Sequence, residues 1–221
     1  MHLRLKKGVL IAFEGIDGAG KSTQAHLLYE RLKKANFPVV ISREPTEGKW
    51  GKKLKGLIKQ GENRLMPQKE LEMFLKDRYH HIKNIVCPAL KSNQIIILDR
   101  YYFSNIAYQG ALGIPTQLIE KRNREFAPEP NLLFLIEIPP EIGIKRIEAM
   151  REGGIDFFEK EEYLNKVSEI FYQLNKPFFH RLRGEDPVEK LSQRIWEITL
   201  NYLTTHDLII DNSHIIYKGG N

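Results

Sequence analysis

The sequence predicts an α/β fold built on a parallel sheet of about five strands with helices on both faces. Apolar segments of strand length alternate along the 221 residues with longer segments of helical periodicity. Such alternation is typical of parallel sheets, whose strands are joined by crossover helices. The stretch from Gly15 to Ser22 also has the pattern G-x-x-x-x-G-K-[ST] of a phosphate-binding loop. Together these two observations indicate a protein that binds a nucleoside triphosphate.

The elements are predicted in order from apolar runs and helical spacing. Strands are expected at residues 9–13, 39–42, 95–98 and 132–138, and a fifth near 178–182 despite its arginines and histidine. Helices are expected from Ser22 onward and at residues 67–92, 140–152 and 187–203. The tail, residues 204–221, has two short apolar runs around Asp211, which suggest a hairpin added to a sheet edge or an ordered extension.

The glycine loop lies between a predicted strand and a predicted helix, the order that phosphate binding requires. Its backbone N–H groups and the helix N-terminus would meet the phosphates, Lys21 would reach the β- and γ-phosphates, and the Ser22 hydroxyl would ligate Mg²⁺. The alternative is a chance match to the pattern. The predicted ATP-binding residues are Gly15, Ile16, Asp17, Gly18, Ala19, Gly20, Lys21, Ser22 and Thr23.

Composition predicts one intracellular domain. With 42% hydrophobic residues and no linker-like stretch, residues 1–203 are expected to share one core, with 204–221 as an extension of unknown role. A single cysteine, Cys87, suits a reducing compartment, and no apolar segment is long enough for a membrane span. We therefore expect a cytoplasmic protein without a membrane partner. The net charge of +6 comes from lysines dispersed among glutamates, so no nucleic-acid partner is expected.

Polar residues follow directly after two predicted strands. Arg43 follows the second strand, and Asp99 and Arg100 follow the third. Since ligands of such sheets bind outside the carboxyl ends of the strands, these side chains should face one cleft. Asp99 would help Ser22 to hold Mg²⁺, while the two arginines would bind a second phosphate through their guanidinium forks. The alternative is that each arginine pairs with a nearby carboxylate and only stabilises its loop.

Four stretches together resemble the thymidylate kinases, which transfer the γ-phosphate of ATP to dTMP. They are residues 13–24, 43–45, 99–110 and 146–159, and the resemblance extends over most of the chain. The phosphate loop is shared by many enzymes, whereas the stretch from Asp99 to Gly110 is specific to this family. The resemblance implies a kinase of the phosphate-loop type with a lid segment at about 146–159. It also implies Mg²⁺, ATP as co-substrate and a homodimer.

The resemblance implies roles for individual residues of the acceptor site. Arg43 and Arg100 match the arginines that hold the acceptor phosphate, and Asp17 matches the residue that accepts from the 3′-hydroxyl. The base and the sugar would be contacted by Phe74, Arg78, Asn105, Tyr108 and Gln109. Of these, Phe74 would stack on thymine and Tyr108 would exclude a 2′-hydroxyl. Without the family, Phe74 is equally well explained as a core residue.

The lid would supply charge to the transferring group. Some family members have an arginine inside the phosphate loop where this chain has Ala19, and in the others lid arginines take its place. Arg151 is the first candidate and Arg146 the second, the alternative being solvated arginines paired with neighbouring glutamates. Lys21, Arg100, Arg151 and Arg146 are thus the predicted catalytic residues. One departure is that Thr46-Glu47-Gly48 replaces a Gly-Gly-Thr common in bacterial members, which leaves other contacts of this loop open.

Two other functions are compatible with the sequence. One is a kinase of the same fold for another nucleoside monophosphate such as dUMP, and the other is a nucleotide-binding module without transfer. A GTPase is disfavoured because both Asn-Lys pairs, at residues 165 and 175, lack the Asp of the guanine signature.

Overall fold

The computed structural model describes residues 3–59, 66–150 and 160–210. Its central feature is a five-stranded, fully parallel sheet in the order β3-β4-β2-β5-β6, which confirms the predicted fold class. The strands are β1 (Arg4–Leu5), β2 (Val9–Glu14), β3 (Val39–Arg43), β4 (Ile95–Asp99), β5 (Leu132–Glu137), β6 (Phe179–Arg183) and β7 (Ile209–Ile210).

Helices connect the strands and cover the sheet, as the alternation of patterns predicts. They are α1 (Lys21–Lys34), α2 (Lys49–Lys59), α3 (Pro67–His81), α4 (Cys87–Lys91), α5 (Tyr102–Gly110), α6 (Thr116–Arg124), α7 (Pro140–Met150), α8 (Glu161–Gln173) and α9 (Val188–Thr205). A π-helical turn at Ile82–Val86 joins α3 to α4, so the helical segment expected at 67–92 is a run of three pieces. None of the helices in the described ranges is long and apolar enough to span a membrane.

The core lies on both faces of the central strands. All six residues of β2 and all five of β4 are buried, as expected for strands that carry helices on both sides. β2 pairs with β4 on one side and with β5 on the other. The chain passes from β2 to β3 and β4 on one side of β2 and then to β5 and β6 on the other, so the direction of the connections reverses at the carboxyl end of β2. That switch point is where ligands of doubly wound sheets bind. The fold therefore places the glycine loop at the centre of the ligand-binding edge.

The fifth strand, β6, carries polar residues because it lies at the edge of the sheet. The guanidinium group of Arg181 forms an ion pair with Glu137 and donates to the carbonyls of Tyr172 and Leu174, at 2.8 and 2.6 Å. These carbonyls belong to the C-terminal end of α8, where helix carbonyls have no partner within the helix. The arginine in this strand thus has a structural task that its sequence pattern does not reveal.

The described part of the tail continues the fold. Ile209–Ile210 pairs antiparallel with Arg4–Leu5, and Leu208 is buried in the core. An ion pair between Lys6 and Asp207 lies beside this small sheet. The tail up to residue 210 therefore joins the two ends of the described chain, whereas the second apolar run expected to form a hairpin lies outside the described residues.

Candidate active site

The glycine loop links β2 to α1 and is shaped by close packing. Gly18 has φ of +76°, and a Cβ atom there would lie 2.4 Å from the carbonyl oxygen of Gly143 in α7. Only glycine combines that left-handed backbone with so close a neighbour. The first residue of α1 is Lys21, so the N-terminus of a 14-residue helix lies directly after the loop. Backbone N–H groups at such a helix end form a site for phosphate.

Lys21 is buried and turned inward. Its Nζ atom donates to the carbonyl oxygen of Ile16 at 2.6 Å. Burial, aided by the positive charge of Arg100, lowers the pKa of Lys21 to about 8, although three carboxylates act in the opposite direction. A phosphate group would offer the ammonium a far stronger partner than a neutral carbonyl. The lysine is thus held at the loop by a contact that a nucleotide can replace.

Ser22 and Asp99 meet at the carboxyl end of the sheet. The Ser22 Oγ atom donates to Oδ2 of Asp99 at 2.5 Å, although the two residues are 77 positions apart. A hydroxyl and a carboxylate oxygen at one point are the donors that Mg²⁺ prefers, and nucleotide phosphates and water complete its shell in phosphate-loop enzymes. In the described ranges no three His, Cys, Asp or Glu side chains gather around one point as an all-protein metal site. The residues present therefore fit a metal that is shared with a nucleotide.

Arg100 lies between the glycine loop and α5. Its backbone has φ of +72°, and its Nη2 atom donates to Oδ1 of Asp17 at 2.6 Å. The Tyr108 hydroxyl donates to the other oxygen of the same carboxylate at 2.9 Å. Burial alone would raise the pKa of Asp17, but Arg100 and Lys21 outweigh it and lower the pKa to about 2. The structure brings these three predicted residues into one cluster, in which the arginine already has a carboxylate partner.

Glu14 is a residue of the site that sequence reasoning missed. Its buried carboxyl accepts from the backbone N–H groups of Tyr101 and Ser104, at 2.8 and 3.0 Å, and from the Ser104 hydroxyl at 2.5 Å. It therefore caps the N-terminal end of α5, where N–H groups lack helical partners. Burial raises its pKa to about 7 despite these hydrogen bonds and Arg100. An acidic residue at the end of an otherwise apolar strand is the signal in the sequence that could have indicated it.

Arg78 is fully buried and surrounded by oxygen atoms. Its Nε and Nη2 atoms contact Oε2 of Glu44 at 2.7 and 2.6 Å. Its Nη1 atom donates to the amide oxygens of Asn105 and Asn123, the latter at 2.6 Å. Burial would raise the pKa of Glu44, but Arg78 and His81 outweigh that effect and lower it. The guanidinium group is thus held in one orientation from two sides, and Asn123 is a partner that the sequence did not indicate.

Gln109 ends this chain of hydrogen bonds with a donor that has no acceptor. Because Arg78 can only donate, it fixes the Asn105 oxygen towards itself, and the Asn105 amide nitrogen then donates to Oε1 of Gln109 at 2.8 Å. The Gln109 side chain is completely buried, and its Nε2 atom has no hydrogen-bond partner among the described residues. A buried polar group without a partner is rare and calls for an explanation, such as an ordered water or a ligand that supplies the partner.

The remaining predicted acceptor residues lie around this network. Arg43 is exposed at the end of β3, where it is paired in register with Asp99 of β4. A cleft of about 590 Å³ has Ser22, Arg43 and Asp99 in its wall. Phe74 lies one turn before Arg78 on α3 and is half-buried. The structure thus brings Arg43 to the same cleft as the proposed metal ligands.

The lid segment is only partly described. Arg146 on α7 donates from its Nη1 and Nη2 atoms to the carbonyl oxygens of Gly18 and Gly184, at 3.2 and 3.0 Å. It therefore lies directly against the glycine loop. Arg151 and the rest of the predicted lid to residue 159 lie outside the described residues.

Comparison with known proteins settles the family. Residues 13–195 match the family model described as thymidylate kinase. The chain is a member of the thymidylate kinase family.

Its relatives include proteins from distant organisms. A probable thymidylate kinase of Archaeoglobus fulgidus is 40% identical over 88% of this chain and 96% of that protein. A thymidylate kinase of Desulfotalea psychrophila is 42% identical over 85% of this chain and 92% of that protein, and one of Xanthomonas euvesicatoria pv. vesicatoria is 43% identical over 81% and 78%. The family match contains the glycine loop, the stretch from Asp99 to Gly110 and Arg146.

Proposed function

We propose that this member of the thymidylate kinase family transfers the γ-phosphate of ATP to dTMP, yielding ADP and dTDP. Membership of the family supports this activity. The observation that carries the assignment of the site is the buried donor of Gln109, which ends a fixed chain of hydrogen bonds one residue after Tyr108, whose hydroxyl contacts Asp17 of the glycine loop. A pyrimidine-2,4-dione has two carbonyl acceptors, so it can satisfy this donor.

The donor half of the site would bind ATP through residues 15–23. The backbone of the loop and the N-terminus of α1 would hold the phosphates, and Lys21 would exchange its bond to Ile16 for the β- and γ-phosphates. Arg146 and Arg151 would add positive charge from the lid, and the contact of Arg146 with Gly18 supports its place beside the loop. Ser22 and Asp99 would hold Mg²⁺, which offsets the negative charge of the phosphates when bound.

The acceptor half would bind dTMP in three parts. Arg43 and Arg100 would hold its phosphate, since guanidinium groups match phosphate oxygens. Asp17 would accept from the 3′-hydroxyl, and Tyr108 would occupy the space beside the 2′ carbon. The base would stack on Phe74 and meet a hydrogen bond from Gln109, which Asn105 and Arg78 would hold in place beside the base.

The chemistry then requires charge compensation and alignment. A phosphate monoester has a second pKa near ~6, so the attacking oxygen is already ionised at neutral pH and needs no strong base. That oxygen forms a bond to the γ-phosphorus while the bond from this phosphorus to the bridging oxygen breaks, and ADP leaves with the electron pair. Lys21, Arg43 and Arg100 would neutralise the repulsion between the two anions. Asp17 and Glu44 have positioning roles and do not act as bases.

We also propose the organisation of the working enzyme. Residues 1–203 would form one kinase domain with a lid at about 146–159, and two copies would form a homodimer in the cytoplasm. Membership of the family is the ground for the homodimer. Light scattering coupled to size-exclusion chromatography measures the oligomeric state, and a monomer at the concentration of the assay would contradict the homodimer.

An assay of ADP release with a panel of acceptors tests the proposed function. We expect turnover with dTMP and none above background with AMP. The ribonucleotide TMP should have a much lower kcat/KM than dTMP, because Tyr108 would leave no room for its 2′-hydroxyl. A higher kcat/KM with dUMP than with dTMP would assign the enzyme to another monophosphate. ATP turnover that is independent of any acceptor would instead favour a nucleotide-binding module without transfer.

A further inference from the structure

The segment that carries Arg43 is held to α3 by two side chains that the proposed function leaves without a role. His81 contacts Ser42 Oγ through its Nε2 atom at 2.8 Å and Glu44 Oε1 through its Nδ1 atom at 2.9 Å. Asp77 accepts from the backbone N–H and the hydroxyl of Thr46, at 2.8 and 2.6 Å. Thr46 belongs to the part of this loop whose contacts the sequence left open. Ser42 and Glu44, the two neighbours of Arg43 in the chain, thus both contact the imidazole ring of His81.

The ring of His81 has a defined orientation. The Glu44 carboxylate is ionised, because Arg78 and His81 lower its pKa against the effect of burial. A carboxylate only accepts hydrogen bonds, so the Nδ1 atom of His81 must carry the hydrogen. In the neutral ring, Nε2 is then the acceptor for the Ser42 hydroxyl. Since His81 is only 4% exposed, solvent offers little competition for either contact.

Glu44 connects this segment to the base-binding part of the site. One carboxylate oxygen faces His81, and the other faces the guanidinium group of Arg78 at 2.6 to 2.7 Å. His81 and Arg78 lie on the same helix, three residues apart, and therefore on one face. The position of the exposed Arg43 relative to the buried Arg78 is thus fixed through one helix face and one carboxylate.

We propose that His81 is a positioning residue that sets the distance between Arg43 and Arg78, and hence between the phosphate and the base of the acceptor nucleotide. This inference rests on the proposed function, which assigns Arg43 to the phosphate and Arg78 to the base. His81 lies in the wall of the same cleft as Arg43, but both of its ring nitrogens are already engaged, by Ser42 and by Glu44. Its effect would reach the nucleotide phosphate through Ser42 and the neighbouring Arg43.

The test separates the two contacts of the ring. In His81→Asn the amide nitrogen can replace Nδ1 as the donor to Glu44, but the side chain is too short to reach Ser42. The variant should therefore keep the pairing of Glu44 with Arg78 and release the loop next to Arg43. We expect the Kd of dTMP to rise about 5- to 10-fold, the loss typical of one buried hydrogen bond, and the Kd of thymidine, which lacks the phosphate, to stay within about twofold.

Three further variants make the test decisive. His206→Asn is the matched control, because His206 is an exposed histidine directly after α9, outside the wall of the cleft, and should leave both Kd values unchanged. Ser42→Ala removes the same contact from the loop side and should reproduce the selective loss of dTMP affinity, even where His81→Asn does not fold. His81→Ala removes both contacts and should weaken thymidine as well as dTMP.

The inference is overturned by an equal loss of dTMP and thymidine affinity in His81→Asn and Ser42→Ala, since that pattern describes general support of the pocket. It is also overturned by wild-type affinities in both variants. Turnover of ATP and dTMP by the wild-type enzyme tests the proposed function separately. An enzyme that binds dTMP selectively over thymidine without phosphorylating it would contradict the function and leave the binding comparison intact as a test of His81.

Discussion

The two halves of the proposed active site hold their charged groups in different ways. In the donor half, Lys21 and Arg146 contact neutral carbonyls that a nucleotide can replace, and Ser22 contacts Asp99, with which it would share Mg²⁺. In the base-binding half, Arg78 is fully buried and pairs with Glu44 and two amide oxygens. Only Gln109 there keeps a donor without a partner among the described residues.

The difference indicates how each half would work. Groups that exchange one partner for another are suited to a substrate that arrives and leaves in several charge states, as ATP and ADP do. A network whose pairs persist is suited to selection, because a base that cannot satisfy the last donor leaves a buried polar group unpaired. We therefore expect substitutions in the donor half to lower the rate of transfer and substitutions in the base half to change affinity and selectivity.

The largest effect is expected for Lys21→Ala. Loss of this ammonium removes charge that stabilises the transition state, so kcat should fall on the order of 10²-fold or more. Steady-state ADP release measures the rate, and circular dichroism checks that the variant is folded. Lys34→Ala, at the exposed end of the same helix, is the control. Normal turnover of folded Lys21→Ala protein would contradict the assignment of the ATP site to residues 15–23.

A smaller and differently distributed effect is expected for Arg100→Ala. This arginine is assigned to the acceptor phosphate, so the KM for dTMP should rise by roughly 10- to 100-fold while the KM for ATP changes little. Arg146→Ala and Arg151→Ala should instead lower kcat. Steady-state kinetics with each substrate varied in turn distinguishes the two patterns. The same pattern in all three variants would erase the distinction between acceptor and lid arginines.

Gln109→Met tests the base-binding half, because the buried donor of this side chain has no hydrogen-bond partner among the described residues but would bind the base. Replacement removes an unsatisfied donor but takes the acceptor from Asn105, so the midpoint of thermal unfolding should change little. The affinity for dTMP should fall about 10-fold through loss of one hydrogen bond in a buried site. Calorimetric titration measures the affinity. An unchanged Kd would mean that the buried donor does not meet the base.

A last effect, on the pH dependence of stability, is expected for Glu14→Gln. The pKa of Glu14 is about 7 in the folded protein and 4.5 for an ordinary glutamate, so the unfolded chain releases its proton first. The contribution of Glu14 to the free energy of unfolding is therefore greatest below pH 4.5 and is lost as the pH rises to about 7.

Glutamine keeps the acceptor for the N–H groups of α5 but cannot ionise. Relative to the wild type, Glu14→Gln should thus be more stable at pH 8 than at pH 5, by on the order of 1–3 kcal/mol. Urea unfolding at the two pH values measures the difference, and the exposed Glu189→Gln serves as the control. An equal effect at both pH values would mean that Glu14 is ionised throughout.

The same contrast explains what the sequence predicts and what it does not. Residues 15–23 are contiguous, and their chemistry follows from the spacing of glycines, lysine and serine between a strand and a helix. The proposed base pocket is assembled from α3, α5, α6 and the end of β3, so Asn123 and His81 acquire their contacts from residues 37 to 45 positions away in the chain. Neither spacing nor periodicity reveals such partners.

Residues at the ends of strands are predictable from the sequence only in part. The rule that ligands bind at the carboxyl ends of parallel strands selected Arg43, Asp99 and Arg100, and the structure places two of them in register on neighbouring strands. It did not select Glu14, because a carboxyl that ends a buried strand looks like the last residue of that strand. Its role depends on the N–H groups of a helix that begins 88 residues later.

Transfer itself is tested most directly with ATP labelled in the γ-phosphate. The labelled nucleotide is mixed with enzyme, Mg²⁺ and either dTMP or no acceptor, and the products are separated by chromatography. The account predicts that the label appears in dTDP in amounts equal to the ADP released, that little inorganic phosphate forms without dTMP, and that Lys21→Ala abolishes the transfer. Label released as inorganic phosphate at the same rate with and without dTMP would contradict it.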